Sequence, residues 1–321
     1  MTCVGAARDG VGIAEPGTTR AFAGASLAAP SWAMAWSARR TEDPERVLAE
    51  AASFLASDPI RHSVVSTTLH RRISHPEPGR YWIADHDGTV VGVALQSPLH
   101  FMATVTPMPA EAAASVVDAI VEDGVRLPGV NGEAATAARF AGHWTERAKT
   151  AARPDQGQRI YEVETVTPAR PTSGRLRQAG SNDEDRMVGW FEEFESETAA
   201  PSAGDTTATG LRTSLSSTAE MVARRLGQGQ LWVWDDGGAV AMAGLSEPVS
   251  GAARVGPVYT PPDRRNAGYG SALVAAVSSG ALANGQRCML YTDLSNPTSN
   301  SIYRAIGYRA VAEALRYRFD D

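Results

Sequence analysis

The stretch Arg265-Asn-Ala-Gly-Tyr-Gly270 separates a predicted strand, residues 253–260, from a predicted helix, residues 268–284. Apolar residues at helical spacing and the closing Asn284-Gly285 pair predict that helix. A helix N-terminus exposes unpaired N–H groups and the positive end of a dipole, which together favour a bound phosphate. Glycines at 268 and 270 let the backbone approach such a group closely, because they carry no Cβ. The stretch therefore predicts a diphosphate site.

The two glycines are compatible with more than one kind of loop. A Rossmann fingerprint would place them directly after the strand, with a third Gly or Ala at position 273. Here Pro261-Pro-Asp263 intervenes, and position 273 is Leu. A P-loop needs a lysine after its glycines, and the only lysine of the chain is Lys149. A packing role for the glycines, in a loop that opens a helix, remains the alternative to a phosphate site.

The elements around this loop predict an α/β (α+β) fold, with a mixed, mostly antiparallel sheet flanked by helices. Before the loop lie a short strand, a helix that starts at Ser181 with Glu184 completing a capping box, a second helix and a β-hairpin. After it come a strand, a helix and a last strand. The predicted ranges are 175–177, 181–194, 217–226, 231–248, 287–292, 297–306 and 310–319.

The hairpin occurs twice, at an offset of 150 residues, because residues 81–98 align without gaps on residues 231–248. Each copy is an apolar run, an Asp/Gly turn and a second apolar run, which is typical of a hairpin. Two unrelated hairpins with similar turns are the alternative. The fixed offset favours an internal repeat of two related domains. The identical pairs are Trp82/Trp232, Asp85/Asp235, Gly88/Gly238, Val90/Val240, Leu95/Leu245 and Pro98/Pro248.

A second motif follows the predicted strand 287–292. It has the pattern N-x-x-S-x-x-x-Y-x-x-x-G-Y, at Asn296, Ser299, Tyr303, Gly307 and Tyr308. Together with the pattern R-x-x-G-x-G at Arg265, Gly268 and Gly270, it makes residues 174–319 resemble an N-acetyltransferase of the GNAT superfamily. The resemblance implies acetyl-CoA as cofactor. With the repeat, it implies a tandem arrangement of two GNAT-like domains. Asn266 and Ala267 stand where members often carry Gly and a basic residue.

The resemblance also implies the roles of individual residues. Backbone N–H groups of the glycine loop would bind the diphosphate, residues 257–260 would pair with the pantetheine arm, and N–H groups near Val258 would stabilise the oxyanion. Asn296 would contact the same arm, although it also suits a helix N-cap before Pro297. The implied cofactor-binding residues are Pro257, Val258, Tyr259, Thr260, Arg265, Asn266, Ala267, Gly268, Tyr269, Gly270, Ser271, Asn296, Ser299 and Tyr303.

Tyr303 is the general acid that the resemblance implies. Acetyl transfer expels a thiolate whose conjugate acid has a pKa of about 8.5, and a phenol with a pKa of about 10 is protonated at neutral pH. A tyrosine that only packs between helix and strand is the alternative. The base is a carboxylate or solvent, because all six histidines lie before residue 144. Glu247 is the catalytic candidate, and Glu193 and Glu197 are further ones; each is otherwise an exposed charge.

The first half differs after its hairpin. Where the second copy has glycines, the first has Ala112, Ala113 and Ala114. We therefore predict a degenerate domain without a cofactor that packs on the catalytic half. Its histidines show no metal-ligand pattern, so we predict no metal site. The predicted organisation is a flexible tail at 1–33, the degenerate GNAT-like domain at 34–167 and the catalytic domain at 168–321, after a Pro- and Gly-rich linker.

Composition limits the partners. The net charge of −6 and the absence of a basic patch disfavour nucleic acid. No apolar run reaches the length of a membrane span. Two cysteines, Cys3 and Cys288, cannot form a disulfide framework, and Cys288 lies in a predicted buried strand. We expect a cytoplasmic protein, monomeric or homodimeric, that acts on a small-molecule or peptide amine.

The leading hypothesis is an enzyme that transfers acetyl from acetyl-CoA to a primary amine, by direct attack in a ternary complex. Two alternatives remain open: a non-catalytic CoA-binding or scaffold protein, and an acyltransferase that uses a larger donor. The presence of Tyr303 and Asn296 favours an enzyme over a scaffold. The sequence leaves the acceptor open among a metabolite, an antibiotic amine, a peptide terminus and a protein lysine.

Overall fold

The structure, a computed structural model, describes residues 36–198 and 217–320. The predicted tail at 1–33 lies outside these residues. Within them, no helix is long and apolar enough to cross a membrane. They form twelve strands and nine α-helices in two successive sets. The order of elements is the same in both sets, except that three helices lie between the first strand and the hairpin in the first set and two in the second.

The first set runs from β1 to β6. Its elements are β1 (Trp36–Thr41), α1 (Pro44–Glu50), α2 (Ala52–Ser57), α3 (Ser63–Ser74), β2 (Arg80–His86), β3 (Thr89–Gln96), β4 (Ala103–Val105), α4 (Ala110–Glu122), β5 (Gly129–Glu133), α5 (Ala134–Ala148) and β6 (Ala152–Val163). β2 and β3 form the first copy of the predicted hairpin.

The second set runs from β7 to β12. Its elements are β7 (Arg175–Gln178), α6 (Glu184–Thr198), α7 (Thr218–Gly227), β8 (Leu231–Asp235), β9 (Ala239–Leu245), β10 (Ala252–Tyr259), α8 (Tyr269–Ala283), β11 (Arg287–Asp293), α9 (Pro297–Ala305) and β12 (Arg309–Phe319). The predicted order of elements is confirmed, and most of their ends differ by a residue or two. The exceptions are α6, which starts three residues and ends four residues later than the predicted 181–194, and the hairpin, which ends at Leu245 and not at 248.

The cap predicted at the start of α6 is wrong. A short 3-10 helix, Ser181–Asp183, precedes α6, and the Asp183 carboxylate accepts the Gly180 N–H at 2.9 Å. Asp183 also binds Arg177, which fixes its orientation. A capping box with a serine N-cap is present at α7, where Ser217 Oγ accepts the Glu220 N–H and the Glu220 carboxylate accepts the Ser217 N–H.

The two hairpins share their turn contacts as well as their sequence. Asp85 Oδ1 accepts the Gly88 N–H at 3.2 Å, and Asp235 Oδ1 accepts the Gly238 N–H at 3.1 Å. In each copy the other carboxylate oxygen binds an arginine of the neighbouring first strand, Arg39 in β1 and Arg177 in β7. The shared contacts confirm the internal repeat that the sequence predicts.

All twelve strands form one sheet, in the order β1-β2-β3-β4-β5-β12-β6-β11-β10-β9-β8-β7. Among the strand pairs of the described residues, β4–β5 and β10–β11 are parallel and the others antiparallel. The fold is therefore mixed α/β with a mostly antiparallel sheet, as predicted.

The last strand of each half lies in the other half of the sheet. β6, from the first half, pairs with β11, and β12, from the second half, pairs with β5. β6 and β12 also pair with each other, from Arg309↔Glu162 to Phe319↔Ala152. Each half of the sheet is thus completed by a strand from the other half of the sequence. The predicted domain boundary at 167/168 therefore divides the sequence but does not divide the sheet at the same place.

The helices cover both faces of the sheet. On one face α8 and α9 pack over β9–β11, with Leu273 and Ile306 in that core, and α4 and α5 pack over β2–β5. On the other face lie α6 and α7, and α1 to α3. Cys288 of β11 is fully buried in the first of these cores, as predicted, and burial raises the pKa of its thiol.

Candidate active site

The candidate site begins where β10 and β11 separate. The two strands pair at three positions, the last of them Arg254↔Met289. Beyond that point β10 continues to Tyr259, bonded to β9 on its other side, while β11 stays paired with β6 as far as Asp293. The edge of residues 255–259 that faces β11 therefore has no partner strand within the described residues. An unpaired edge of this kind offers hydrogen bonds to an extended ligand.

The gap between the two strands opens into a cleft of about 840 Å³. Its walls come from β10, from β11 and the start of α9, from the end of α6, and from β6 and β12. Of the predicted site residues, Pro257, Val258, Asn296, Ser299 and Tyr303 line it, and so does Glu197. The cleft thus combines elements of both halves of the sequence.

The glycine loop opens α8 as predicted. Gly268 is the N-cap of α8 with a φ of 85°, a conformation that favours glycine, and no side chain of the described residues caps the helix. The first N–H groups of α8 therefore remain available to a ligand. A Cβ at Gly270 would lie 3.2 Å from Thr260 Oγ1, so this glycine allows a close approach between loop and strand. The loop from Arg265 to Ala267 is exposed.

Two neighbouring contacts position the loop. Thr172 Oγ1 donates to the carbonyl of Ala267 at 3.0 Å, and Tyr269 Oη donates to Asp236 at 2.6 Å. Thr172 belongs to the linker, and Asp236 to the turn after β8. The linker therefore supports the loop in addition to joining the two halves.

Arg265 is held at the same end of β10. Its Nε donates to the carbonyl of Thr260 at 2.9 Å, and its Nη2 donates to both carboxylate oxygens of Glu197 at 2.7 and 2.8 Å. The hydrogen bonds to Glu197 raise the pKa of Arg265 above its usual value. The guanidinium is therefore engaged with α6 in this conformation.

Tyr303 projects from α9 into the cleft. Its ring lies 6.4 Å from the ring of Tyr161 and 6.0 Å from that of Tyr308. Burial of the hydroxyl raises the pKa of Tyr303 to about 12. The phenol is therefore protonated at neutral pH, which a proton donor requires.

Asn296 caps α9. Its Oδ1 accepts the Ser299 N–H at 2.9 Å, which accounts for the capping alternative to a cofactor contact. Its exposed side chain also lines the cleft, so both roles stay compatible. Asn300, which the sequence patterns did not indicate, is buried behind it. Asn300 Nδ2 donates to the carbonyls of Asp293 and Asn296, and its Oδ1 accepts from Tyr161 of β6.

The carboxylates considered as bases lie in different places. Glu247 is exposed after β9 and is not among the residues that line the cleft, so the structure does not bring it together with Tyr303. Glu193 accepts a hydrogen bond from Tyr259 Oη at 2.8 Å. Burial and this contact raise the pKa of Tyr259 to about 12. Glu197 lines the cleft but is bound to Arg265.

A carboxylate that the sequence patterns did not indicate is Asp293, at the end of β11. It lines the cleft and accepts hydrogen bonds from Ser295 and, at 2.8 Å, from Gln156 of β6. Burial acts to raise the pKa of Asp293, but these hydrogen bonds together outweigh it and lower the pKa below its usual value. Gln156 belongs to the first half of the sequence, and only the strand exchange brings it here.

The first half has a different geometry at the equivalent place. β4 pairs with β5 along its whole length of three residues and ends at Val105. Only residues 106–109 separate it from α4, whereas residues 255–268 separate the last paired residue of β10 from α8. Ala112 and Ala113 are buried residues in the first turn of α4 and do not form a loop. Within the described residues, β4 therefore has no unpaired extension like residues 255–259 of β10.

The chain matches known proteins mainly in fold. A family model described as FR47-like protein matches residues 237–317. An acetyltransferase of the GNAT family from Colwellia psychrerythraea has 10% sequence identity and a TM-score of 0.56, over 88% of this chain and 100% of that chain. A GCN5-related N-acetyltransferase from Sphaerobacter thermophilus has 15% identity and a TM-score of 0.57, over 88% and 95%.

A third solved structure is described as a tandem GNAT protein from the clavulanic acid biosynthesis pathway. It has 11% identity and a TM-score of 0.52, over 88% of this chain and 98% of that chain. No curated protein matches the sequence. These likenesses extend over both halves of this chain.

Proposed function

The fold is that of the GNAT acetyltransferases, repeated in tandem, and on this premise we propose that the chain is an acetyl-CoA-dependent N-acetyltransferase. It transfers acetyl to a primary amine by direct attack in a ternary complex. The observation that carries the proposal is the unpaired edge of β10, which leads from the cleft with Tyr303 to the uncapped N-terminus of α8.

The residues present suit coenzyme A. Amide groups at the start of α8 and the positive φ of Gly268 fit a diphosphate. The free edge at residues 255–259 fits an extended, amide-bearing arm, because such an arm pairs with a strand by backbone hydrogen bonds. Asn296 and Ser299 line the cleft opposite this edge. Acetyl-CoA supplies the acyl thioester.

Residues of the chain supply the rest of the chemistry. Tyr303 Oη holds a proton for the departing thiolate, since its pKa of about 12 keeps it protonated. Backbone N–H groups near Val258 and Tyr259 stabilise the oxyanion. Asp293 and Glu197 are carboxylates that line the cleft and are the candidates for receiving the proton of the amine, directly or through water. Glu247 stays a candidate base predicted from the sequence, but it does not line the cleft.

Calorimetry and thiol release test the proposal on the whole chain. We expect coenzyme A to bind in a calorimeter, and we expect free thiol to appear when acetyl-CoA and a suitable primary amine are both present. Longer acyl-CoA donors, offered at the same concentration, test the larger-donor alternative. Binding without any amine-dependent thiol release would support the scaffold alternative, and no binding would contradict the proposal.

The pH dependence of turnover gives an independent check. A group whose pKa is raised to about 12 keeps its proton below that value. We therefore expect no falling limb that depends on Tyr303 between about pH 7 and pH 10, where an unperturbed tyrosine would start to ionise. The measurement is kcat against pH in wild type. A loss of kcat in this range with a pKa near 9, removed by a Tyr303→Phe change, would contradict the assignment.

A further inference from the structure

Five arginines gather beside the cleft, at the junction of the two halves. Arg71 and Arg72 lie on α3, Arg224 and Arg225 on α7, and Arg254 on β10. Arg72 and Arg225 are each only 5% exposed. The carboxylate of Glu77 joins the cluster through an ion pair with Arg72, 2.6 Å between Nη2 and Oε2. We call these five arginines the arginine cluster.

Arg225 is the least compensated member. Its Nη1 is buried and has no hydrogen-bond partner among the described residues, and its guanidinium lies 5.8 Å from the centre of the Phe191 ring. Burial, followed by the charges of Arg254, Arg224 and Arg71, lowers the pKa of Arg225 to about 9. A buried cation without a counter-charge is costly, so such a group normally meets an anion.

Arg72 shows a similar surplus of donors. Its Nε donates to Ser97 Oγ at 2.5 Å and its Nη2 faces Glu77, but its Nη1 is buried without a partner in the described part of the chain. The cluster therefore offers at least two buried N–H groups that these protein atoms leave unused. Unused donors at this depth are rare in folded proteins.

The cluster adjoins the reaction cleft. A Cβ built on Gly244 would lie 2.8 Å from Arg225 Nη1 and 2.5 Å from the carbonyl oxygen of Gly256. The guanidinium thus lies against the segment of β10 that lines the cleft. Arg254 lines both the cleft and a second cavity under α3, formed with residues such as Asn131 and Tyr291.

Arg254 also fixes the face on which the cluster lies. It is the last residue of β10 that pairs with β11, at the point where the strands separate. Its neighbour Val255 belongs to the core under α8, so Arg254 points to the opposite face, because side chains alternate along a strand. An acceptor that entered the gap from that face would pass the arginine cluster on its way into the cleft.

We propose that the acceptor amine carries an anionic group, a carboxylate or a phosphate, and that Arg225 and Arg254 bind it with the support of Arg71, Arg72 and Arg224. The inference rests on the proposed acetyl transfer and adds the chemical class of the substrate. It also gives the first half a function, because α3 contributes two of the five cations.

Matched acceptors test the proposal. The panel consists of primary amines that differ at one position only, which is a carboxylate, a phosphate monoester or a neutral amide. We expect kcat/KM to be about tenfold to hundredfold higher for an anionic member than for the neutral amide, as a charge-assisted hydrogen bond allows. The carboxylate and phosphate arms identify which anion is bound.

The variant Arg225→Met removes the buried charge and keeps an apolar stem against Phe191. In this variant we expect the preference for the anionic amine to fall to within about twofold, because the charge-assisted contact is lost. The control Arg126→Met removes an exposed arginine elsewhere, and we expect it to keep the preference. Equal rates for anionic and neutral amines in wild type would overturn the proposal, as would an unchanged preference in Arg225→Met.

A second measurement separates failure of the inference from failure of the proposed function. Sodium sulfate, compared with sodium chloride at equal ionic strength, should raise the melting temperature of the wild type and of Arg126→Met, and raise it much less in Arg225→Met. Calorimetry with coenzyme A on the same samples should give equal affinities for all three proteins. No binding of coenzyme A contradicts the acetyltransferase. Equal sulfate effects in wild type and Arg225→Met contradict the anion site.

Discussion

The two halves of the chain share a hairpin down to the hydrogen bonds of its turn, and they differ after the fourth strand of each set. In the first half four residues, 106–109, join β4 to α4, whereas in the second fourteen, 255–268, lie between the last paired residue of β10 and α8. These additional residues form the free edge and the glycine loop. The shared contacts stabilise the scaffold, and the additional residues create the cleft.

The helices that follow β5 and β11 show the same contrast. The seventh residue of α9 is Tyr303, which lines the cleft, and the seventh residue of α5 is Phe140, which is fully buried. The residue before each helix also differs, because Asn296 caps α9 with its side chain and Glu133 makes no such bond at α5. The same position in the fold thus serves packing in one half and a polar cleft in the other.

The comparison predicts that neither half is complete alone. A fragment of residues 168–321 lacks β6, which pairs with β11 at six positions and with β12 over most of its length. We expect this fragment to show no cooperative unfolding transition by circular dichroism, because two of its strands lose their pairing partner. This is the largest effect we predict.

The matched control is the whole chain cut once by a protease within the linker, residues 168–173. We expect the cut chain to elute as a single species and to unfold cooperatively, because the exchanged strands hold the two pieces together. A fragment 168–321 that folds and binds coenzyme A like the whole chain would show that β6 is dispensable.

The next largest effect should come from replacing Tyr303 of α9 with phenylalanine, the residue at the equivalent position of α5. We expect Tyr303→Phe to lower kcat by about a hundredfold, the usual scale for loss of a general acid, and to leave the affinity for coenzyme A unchanged. Steady-state kinetics and calorimetry measure the two quantities. Tyr317→Phe, a change on β12 away from the lining of the cleft, serves as the control. Unchanged turnover would remove Tyr303 from the chemistry.

The glycine loop should show a smaller effect. Gly268→Ala forces a side chain into a φ of 85°, which costs about 1 kcal/mol of stability for a residue other than glycine. We expect the affinity for coenzyme A to fall by about fivefold to tenfold as the loop shifts, as roughly 1 kcal/mol implies.

Gly280→Ala is the control for that change, since Gly280 lies inside α8 with open space around its Cβ position. We expect Gly280→Ala to stabilise the protein by up to about 1 kcal/mol and to leave the affinity for coenzyme A unchanged. If Gly268→Ala bound coenzyme A as tightly as wild type does, the loop would not be the diphosphate site.

The last prediction concerns stability alone, through the arginine that each hairpin turn binds. Arg177 binds Asp235 and also the buried Asp183, whereas Arg39 binds Asp85 and the more exposed Glu50. The hydrogen bonds from Arg177 lower the pKa of Asp183. A lowered pKa in the folded state stabilises above the ordinary pKa of the group, and this contribution disappears as the pH falls through the folded-state pKa.

We therefore expect Asp183→Asn to reduce the free energy of unfolding at pH 7 by about 1–2 kcal/mol, the scale of charge-assisted hydrogen bonds. The difference from wild type should shrink as the pH falls below about 4, where an ordinary aspartate takes up a proton. Urea denaturation at several pH values measures it. Glu50→Gln is the control, with a smaller loss because its ion pair is exposed. If Glu50→Gln lost more free energy of unfolding than Asp183→Asn, the prediction that the ion pair of Arg177 stabilises more than that of Arg39 would be wrong.

Local patterns in the sequence predict much of the fold. The hairpin repeat, the order of elements and the helix at Gly268 depend on turn residues and periodicity within short windows. The same patterns place the α6 cap wrongly. Ser181 and Glu184 match the capping-box pattern in the sequence, but in the structure it is Asp183 that accepts the Gly180 N–H. Only the ion pair of Asp183 with Arg177 decides between them.

The strand exchange is beyond the reach of those patterns. No local pattern in the sequence of β6 or β12 indicates which half of the sheet the strand joins, because that choice depends on contacts between residues that are distant in the sequence. The contact of Asp293 with Gln156 depends on that exchange, and the arginine cluster depends on the positions of α3 and α7 around β10. The local signal for the cluster is limited to the paired arginines at 71–72 and 224–225.

The position of β12 has a consequence for how the protein folds. This strand is synthesised after all the other described strands, yet it lies between β5 and β6, near the middle of the sheet. Until it emerges from the ribosome, the edges of β5 and β6 lack their central partner, and contacts such as Phe319 with Ala152 must close a loop of more than about a hundred residues. We therefore expect both halves to complete folding together, only after β12 has been synthesised. Before that, the unpaired edges of β5 and β6 are exposed to aggregation.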